Sequence, residues 1–321
     1  MSYEVRVRAS LGTLIALGLE RGRADVTPEI AYIMQYSESG CAGKCAFCAQ
    51  SASSHASKEL LSRVVWPEVS LDTLLRGLSS SNYRRVCIQT IIKSRFIEEA
   101  HYLVRSFNEL GMKVSLSITP VPESELRQFA REGVDYLGVG LDAASRSLAE
   151  AYERPYTWNT YWDFIRSGVR VFGRGRVVTH LIVGLGESLK DLLSTVEKLR
   201  SVGSDISLFA LTPLKGTKAG KLSSPPVRYY RLVQLATKLI MDGHNWRDFI
   251  IYREGKPYIN KSVLGLDADD LLEAVIIRGC PGCNRPFYNE VPGREPYNFP
   301  GREYLSKWKE KVAEELRELL I

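Results

Sequence analysis

The chain has 321 residues, 45% hydrophobic and 25% charged, a globular composition long enough to bury a full core, which excludes disordered, collagenous and coiled-coil chains. Its net charge of +6 comes from 43 basic residues scattered among 37 acidic ones, so no dedicated nucleic-acid surface is expected. No apolar run reaches the roughly 18 residues of a membrane helix and no signal-peptide core opens the chain, so a cytoplasmic address off the membrane is expected.

In chain order, residues 8–23 (RASLGTLIALGLERGR) place apolar side chains at helical spacing and predict a helix within an N-terminal helical extension, 1–30. AYIMQYSES, from residue 31, predicts a strand ending just before Cys41. Strands and helices then alternate. The strands are Arg85–Ile92, Met112–Thr119, Tyr136–Leu141, Val177–Gly184 and Ile206–Leu211. The helices are Ser70–Leu78, Ser94–Leu110, Glu123–Glu132, Trp158–Phe172 and Ser188–Ser201. Six strands, each followed by a helix-length segment, predict an α/β fold with a parallel sheet and right-handed crossovers. Closed partly or completely, this is a TIM-type βα barrel over 31–255, with reactive groups at the C-terminal ends of its strands. A helix at Val227–Met241 and a strand at Phe249–Tyr252 are expected to extend it. The C-terminal extension, 256–321, holds an irregular Gly- and Pro-rich segment from Arg278 to Arg302 and an amphipathic helix, Glu303–Ile321. Long irregular segments in compact domains are usually functional, and this one reads as a lid or cluster-binding tail.

The cysteines cluster. Cys41, Cys45 and Cys48 lie within one short loop, and Cys280 and Cys283 form a C-x-x-C. In a cytosolic chain such spacing points to metal or redox chemistry before disulfides. Three thiolates on one loop suit three irons of a cubane and leave the fourth iron open, with Phe47 as an apolar cover. A zinc loop completed by His55 is the plainer alternative. Zinc or a disulfide at Cys280 and Cys283 stays open, as does a plain core role for Cys87.

CAGKCAFC, at 41–48, resembles the cluster loop of the radical S-adenosylmethionine (SAM) superfamily, and CAFCAQSA is close to the form in biotin synthases. The resemblance runs through roughly residues 10–255. It implies a [4Fe–4S] cluster on Cys41, Cys45 and Cys48 that chelates SAM and generates a hydrogen-abstracting 5′-deoxyadenosyl radical. LDAAS (141–145) then implies a ribose-binding role for Asp142. HLIVGLGES (180–188) implies Ile182 against adenine, with Gly184 and Gly186 allowing close approach, and LTPLKGT (211–217) resembles the strand-six segment. Glu153 and Arg154 are placed to contact the amino-acid part of SAM, with Tyr36 and Gln50 flanking the cluster loop. His180 reads as a buried core histidine.

Cys87 matches one cysteine of the second, sulfur-donating cluster of biotin synthases, but the other two positions fall near Ser115 and Val178. Cys87, Cys280 and Cys283 together are expected to hold an auxiliary iron–sulfur cluster. CPGCNRPFYNEVPG resembles the tail of archaeal-type lipoyl synthases, which act as paired proteins. That resemblance implies sulfur insertion into an octanoyl chain on a lipoyl-carrier domain, with a paired radical SAM partner and an electron donor. The alternatives are biotin synthesis from dethiobiotin, a radical SAM enzyme whose second cluster donates no sulfur, and a non-catalytic iron–sulfur or zinc scaffold.

Overall fold

The computed structural model describes residues 5–263, 268–290 and 293–321; the remaining parts of both extensions, Val291 and Pro292 of the tail among them, lie outside the described residues. Six parallel strands form the frame: β2 (Ala31–Gln35), β6 (Arg85–Gln89), β7 (Lys113–Ser117), β8 (Val134–Asp142), β9 (Val177–Val183) and β10 (Asp205–Ala210). β1 (Arg6–Ala9) and β5 (Glu68–Ser70) add antiparallel at one end, giving the order β10-β9-β8-β7-β6-β2-β1-β5. A short hairpin, β3 (Leu60–Leu61) with β4 (Val64–Val65), precedes β5. The barrel is therefore partial, its sheet running from β10 at one edge to β5 at the other.

Helices cover the outside: α1 (Leu11–Ala16), α2 (Leu71–Ser79), α3 (Phe96–Glu109), α4 (Glu123–Arg131), α5 (Arg146–Ala151), α6 (Trp158–Phe172), α7 (Leu189–Val202) and α8 (Val227–Asp242). Strand interiors such as AYIMQ are buried along their whole length, as a parallel strand covered on both faces requires. Ser70, Ser145, Thr157 and Ser188 stop the preceding chain and start helices by accepting the N–H of Thr73, Leu148, Thr160 and Asp191. Among the described residues no helix is long and apolar enough to cross a membrane.

Three expectations are corrected. The N-terminal extension is not helical throughout: β1 covers the edge of β2, and the helix spans only Leu11–Ala16 before Gly18, at φ 70°, ends it. The strand near 249–252 does not extend the barrel. It follows the short α9 (Trp246–Phe249) and forms β11 (Ile250–Arg253), which pairs with β12 (Lys256–Ile259) across Glu254 and Gly255 at φ 49° and 73°. Both central residues sit where a tight hairpin turn needs them, so the pairing is local. The final helix divides, after α10 (Ala268–Glu273), into α11 (Arg302–Ser306) and α12 (Lys309–Arg317).

The tail closes the open side of the barrel. Ser207 on β10 donates to the Arg278 carbonyl (2.6 Å), while Asn284 accepts from Glu29 N–H (3.1 Å) and donates to Thr27 O (3.0 Å) just before β2. The CPGC loop thus spans from β10 to the approach of β2.

Candidate functional site

The loop after β2 is braced by its own backbone. Cys41 N–H donates to Gln50 O (2.7 Å), Ala42 N–H to Ile92 O (2.7 Å) and Ala52 N–H to Gly43 O (2.9 Å). The Lys58 ammonium donates to the carbonyls of Ala49, Ser51 and Ser54. Donors also aim at the sulfurs: Gly43 and Ile92 N–H each lie 3.3 Å from Cys41 Sγ, and the Arg154 guanidinium lies 2.9 Å from Cys45 Sγ. Arg154 also pairs with the Asp142 carboxylate at 2.9 Å and reaches the Gly140 carbonyl and Tyr161 hydroxyl. Asp142 sits at φ 62° at the C-terminal end of β8, a strained position held by this pairing.

Burial pushes the Cys48 thiol up to about 12 and raises Cys45 despite Arg154 beside it. Both shifts favour the protonated thiol at Cys45 and Cys48, and a bound cation would deprotonate them. All six cysteines are free thiols. Among the described residues, no three His, Cys, Asp or Glu side chains gather around one point as ligands of a single metal ion. The backbone N–H of His55 donates to Gly216 O (2.8 Å). Separated thiols with N–H and guanidinium donors on their sulfurs fit a multi-iron cluster, whose irons take one thiolate each.

Beside the loop lies a cavity of about 200 Å³ that brings together Cys45, Phe47, Cys48, Asp142, Arg154 and Ile182. Gly184, at φ 106°, follows on β9, and its N–H donates to the Glu187 carboxylate (2.8 Å). Gly186 is also left-handed, at φ 96°, with open space where a Cβ would point. Glu153 is not in this cavity. It pairs with Lys218 on the outer rim. Tyr36 is likewise turned away, under the guanidinium groups of Arg6 and Arg8, and Gln50 braces the backbone at Lys58 and Leu60.

The second cysteine set does assemble. Cys87, Cys280 and Cys283 line one cavity of about 340 Å³. Gln89 donates to Cys87 Sγ (3.0 Å), and the Tyr32 hydroxyl contacts Cys283 Sγ (3.7 Å) while accepting the Arg285 N–H (2.8 Å). Burial raises the Cys87 thiol, with Cys280 and Cys283 acting in the same direction; Cys280 is itself pushed up to about 12 by burial. Strand register puts Cys87 opposite Ser115 and Tyr32. Ser115 and Val178 line this cavity too, so the positions expected to lack cysteines face the same place. The two cavities share a wall of His180, Phe209 and Tyr288.

That wall holds what the sequence reading missed. His180 is no mere packing residue: its ring lies 5.2 Å from Phe209, and the Arg285 guanidinium sits 3.9 Å above Phe209. Nothing in the local pattern of β9 separates a wall histidine from a core one. Burial, with Arg285 adding to it, pushes His180 down to about 3. An unfolded chain takes up a proton below pH ~6.5 that the native chain refuses, so stability falls with pH. In the metal-free protein, His180→Gln is expected to flatten the stability profile between pH 6.5 and 5 by up to ~1.4 kcal/mol per pH unit. Denaturant titrations at several pH values check this; an unchanged slope would mean that the native state protonates His180 normally.

A partial βα barrel with three thiols on the loop after its first parallel strand defines an enzyme scaffold built around a cluster. The sequence signature of the Radical SAM superfamily matches residues 38–199, and the chain belongs to that superfamily. It is a radical SAM enzyme, and the family implies a [4Fe–4S] cluster and SAM. The chain is similar to the biotin synthase of Brucella anthropi (25% identical over 69% of this chain and 68% of that one). It is also similar to that of Rhodopseudomonas palustris (25% identical over 61% of this chain and 56% of that one). Its fold resembles methylornithine synthase, with a TM-score of 0.55 at 12% identity over 88% of this chain and 81% of that one. It also resembles HydG, a maturase of the [FeFe]-hydrogenase, with a TM-score of 0.52 at 13% identity over 65% of this chain and 50% of that one.

Proposed function

We propose that this enzyme inserts sulfur into unactivated C–H bonds of an octanoyl chain carried on a lipoyl-carrier domain, with a paired radical SAM partner and an electron donor. The observation that carries the reading is the shared wall: Cys45 and Cys48 line the cavity on one side of it, and Cys87, Cys280 and Cys283 line the cavity on the other. Held by Cys41, Cys45 and Cys48, a [4Fe–4S] cluster with SAM would supply hydrogen abstraction, and an iron–sulfur cluster on Cys87, Cys280 and Cys283 would supply sulfur. Arg154 fixes the Asp142 carboxylate toward the first cavity, where it would hold the ribose hydroxyls, with Ile182 beside the adenine. Phe209 and Tyr288, their rings 5.4 Å apart, would help exclude water. Neutral His180 adds no charge near a radical.

The similarity to biotin synthases favours a second reading, free dethiobiotin as substrate. The test compares Cys41/Cys45/Cys48→Ala and Cys87/Cys280/Cys283→Ala after anaerobic reconstitution. Each triple variant is expected to keep about four irons, the complement of one cubane. The second should still cleave SAM but give no sulfur-containing product from an octanoyl-lysine peptide by mass spectrometry. A Cys41/Cys45/Cys48→Ala protein without iron would overturn the two-cluster reading, and product from dethiobiotin alone would establish the second reading.

A further inference from the structure

We propose that the acyl chain reaches the larger cavity through a lateral mouth between residues 23–26 and the β3–β4 hairpin, methyl end first. This deepens the octanoyl reading and rests on it. The cavity lies against residues of β6 to β10 and is bounded by the segments around residues 10–32, 61–66 and 279–288. At about 340 Å³ it falls in the size range of small-molecule sites, roughly 300–1,000 Å³.

Its lining changes along its length. Arg23 and Val65 are exposed and mark the rim. Leu11, Ile15, Val26 and Trp66 make the next stretch apolar, and Cys87 and His180 lie at the inner end. Three of the four serines along the wall are engaged: Ser10 with Thr13, Ser115 with Arg85, and Ser207 with the Arg278 carbonyl. Arg63, near the rim, spends its guanidinium on the carbonyls of Phe287 and Glu290. Apart from Ser117, His180 and the Arg285 guanidinium, the cavity wall is mainly apolar. An unbranched chain tethered through a polar end buries only methylenes, keeps the tether at the rim and presents its far carbons to the cysteines.

Two measurements test this. The first uses a peptide with an acyl-lysine whose chain ends in a diazirine. Photolysis is expected to label residues of the inner end, among Cys87, His180 and Phe209, and labelling confined to other surfaces overturns the proposal. The second is binding of a fluorescent octanoyl-lysine peptide by anisotropy. Ala24→Trp, which narrows the mouth, is expected to weaken it at least about tenfold while the thermal midpoint and the iron content of the Cys41 loop hold. If wild type binds and the folded variant binds equally, the mouth is elsewhere and the octanoyl reading survives. If wild type binds no octanoyl peptide but binds dethiobiotin, the octanoyl reading falls and this inference with it.

Discussion

Replacing Arg231 with Met is expected to loosen the C-terminal tail and strip the second thiol site of iron while sparing the first. Arg231, on α8, has no exposed surface, yet every nitrogen of its guanidinium is engaged. Nε pairs with Glu315 (3.1 Å). Nη1 donates to Gln234 (2.8 Å) and the Tyr297 carbonyl (2.5 Å), and Nη2 donates to Glu295 (3.1 Å) and the Pro296 carbonyl (2.6 Å). Methionine keeps the bulk and loses all of this, leaving two carboxylates and two carbonyls half-satisfied. Breaking a buried network of this kind costs about 3–5 kcal/mol, a large share of the roughly 5–15 kcal/mol that holds a domain together. The loss falls on the tail because those partners belong to residues 295–297 and to α12. Asn298, next in line, orders Glu290 by donating its N–H to that carboxylate (3.0 Å), and Glu290 ends the segment that starts at Cys280. Urea denaturation should show the stability loss, and reconstituted protein should hold about four irons rather than two cubane complements. Full iron content with unchanged stability would show that the tail is held elsewhere.

Arg154→Met is expected to be at least as damaging, at the other site. Arg154 and Asp142 are both largely enclosed, with side-chain exposures of 8% and 15%. Without the guanidinium, Asp142 is a buried carboxylate with no counter-charge, at a strained φ that the pairing held in place. The cost is about 3–5 kcal/mol, and Cys45 loses the charged donor on its sulfur. The variant should reconstitute the first cluster poorly and bind SAM weakly. Pairing it with Asp142→Asn distinguishes the causes. If the uncompensated charge is the main fault, the double variant regains stability over Arg154→Met but not SAM binding. Equal instability of single and double variants would put the fault in lost packing over Phe47 and Tyr161 instead.

These two arginines mark the limit of what local pattern reveals. Arg154 was legible as a site residue because a resemblance located it, but its attachment to Cys45 joins residues 109 apart. Glu153, its chain neighbour, lies outside the Asp142 cavity and pairs with Lys218. Arg231 had no motif and no periodicity to distinguish it from the other residues of a helix, and it is buried only because the tail returns across α8.

The amino-acid sequence alone determined the alternation of strands and helices, most of their limits, the three-thiol loop and the irregular tail. Each rests on interactions within a few residues: apolar spacing, Ser and Thr caps, and ligand spacing on one loop. Only the tertiary structure decided that the opening segment joins the sheet as β1, that β11 pairs locally with β12, and that the sheet stays open between β10 and β5. The same holds for Cys87 meeting Cys280 and Cys283 behind a wall of His180, Phe209 and Tyr288. These contacts join segments up to about two hundred residues apart. Their geometry comes from how sheet edges are covered and buried charges satisfied across the whole molecule, and no short window of sequence carries that.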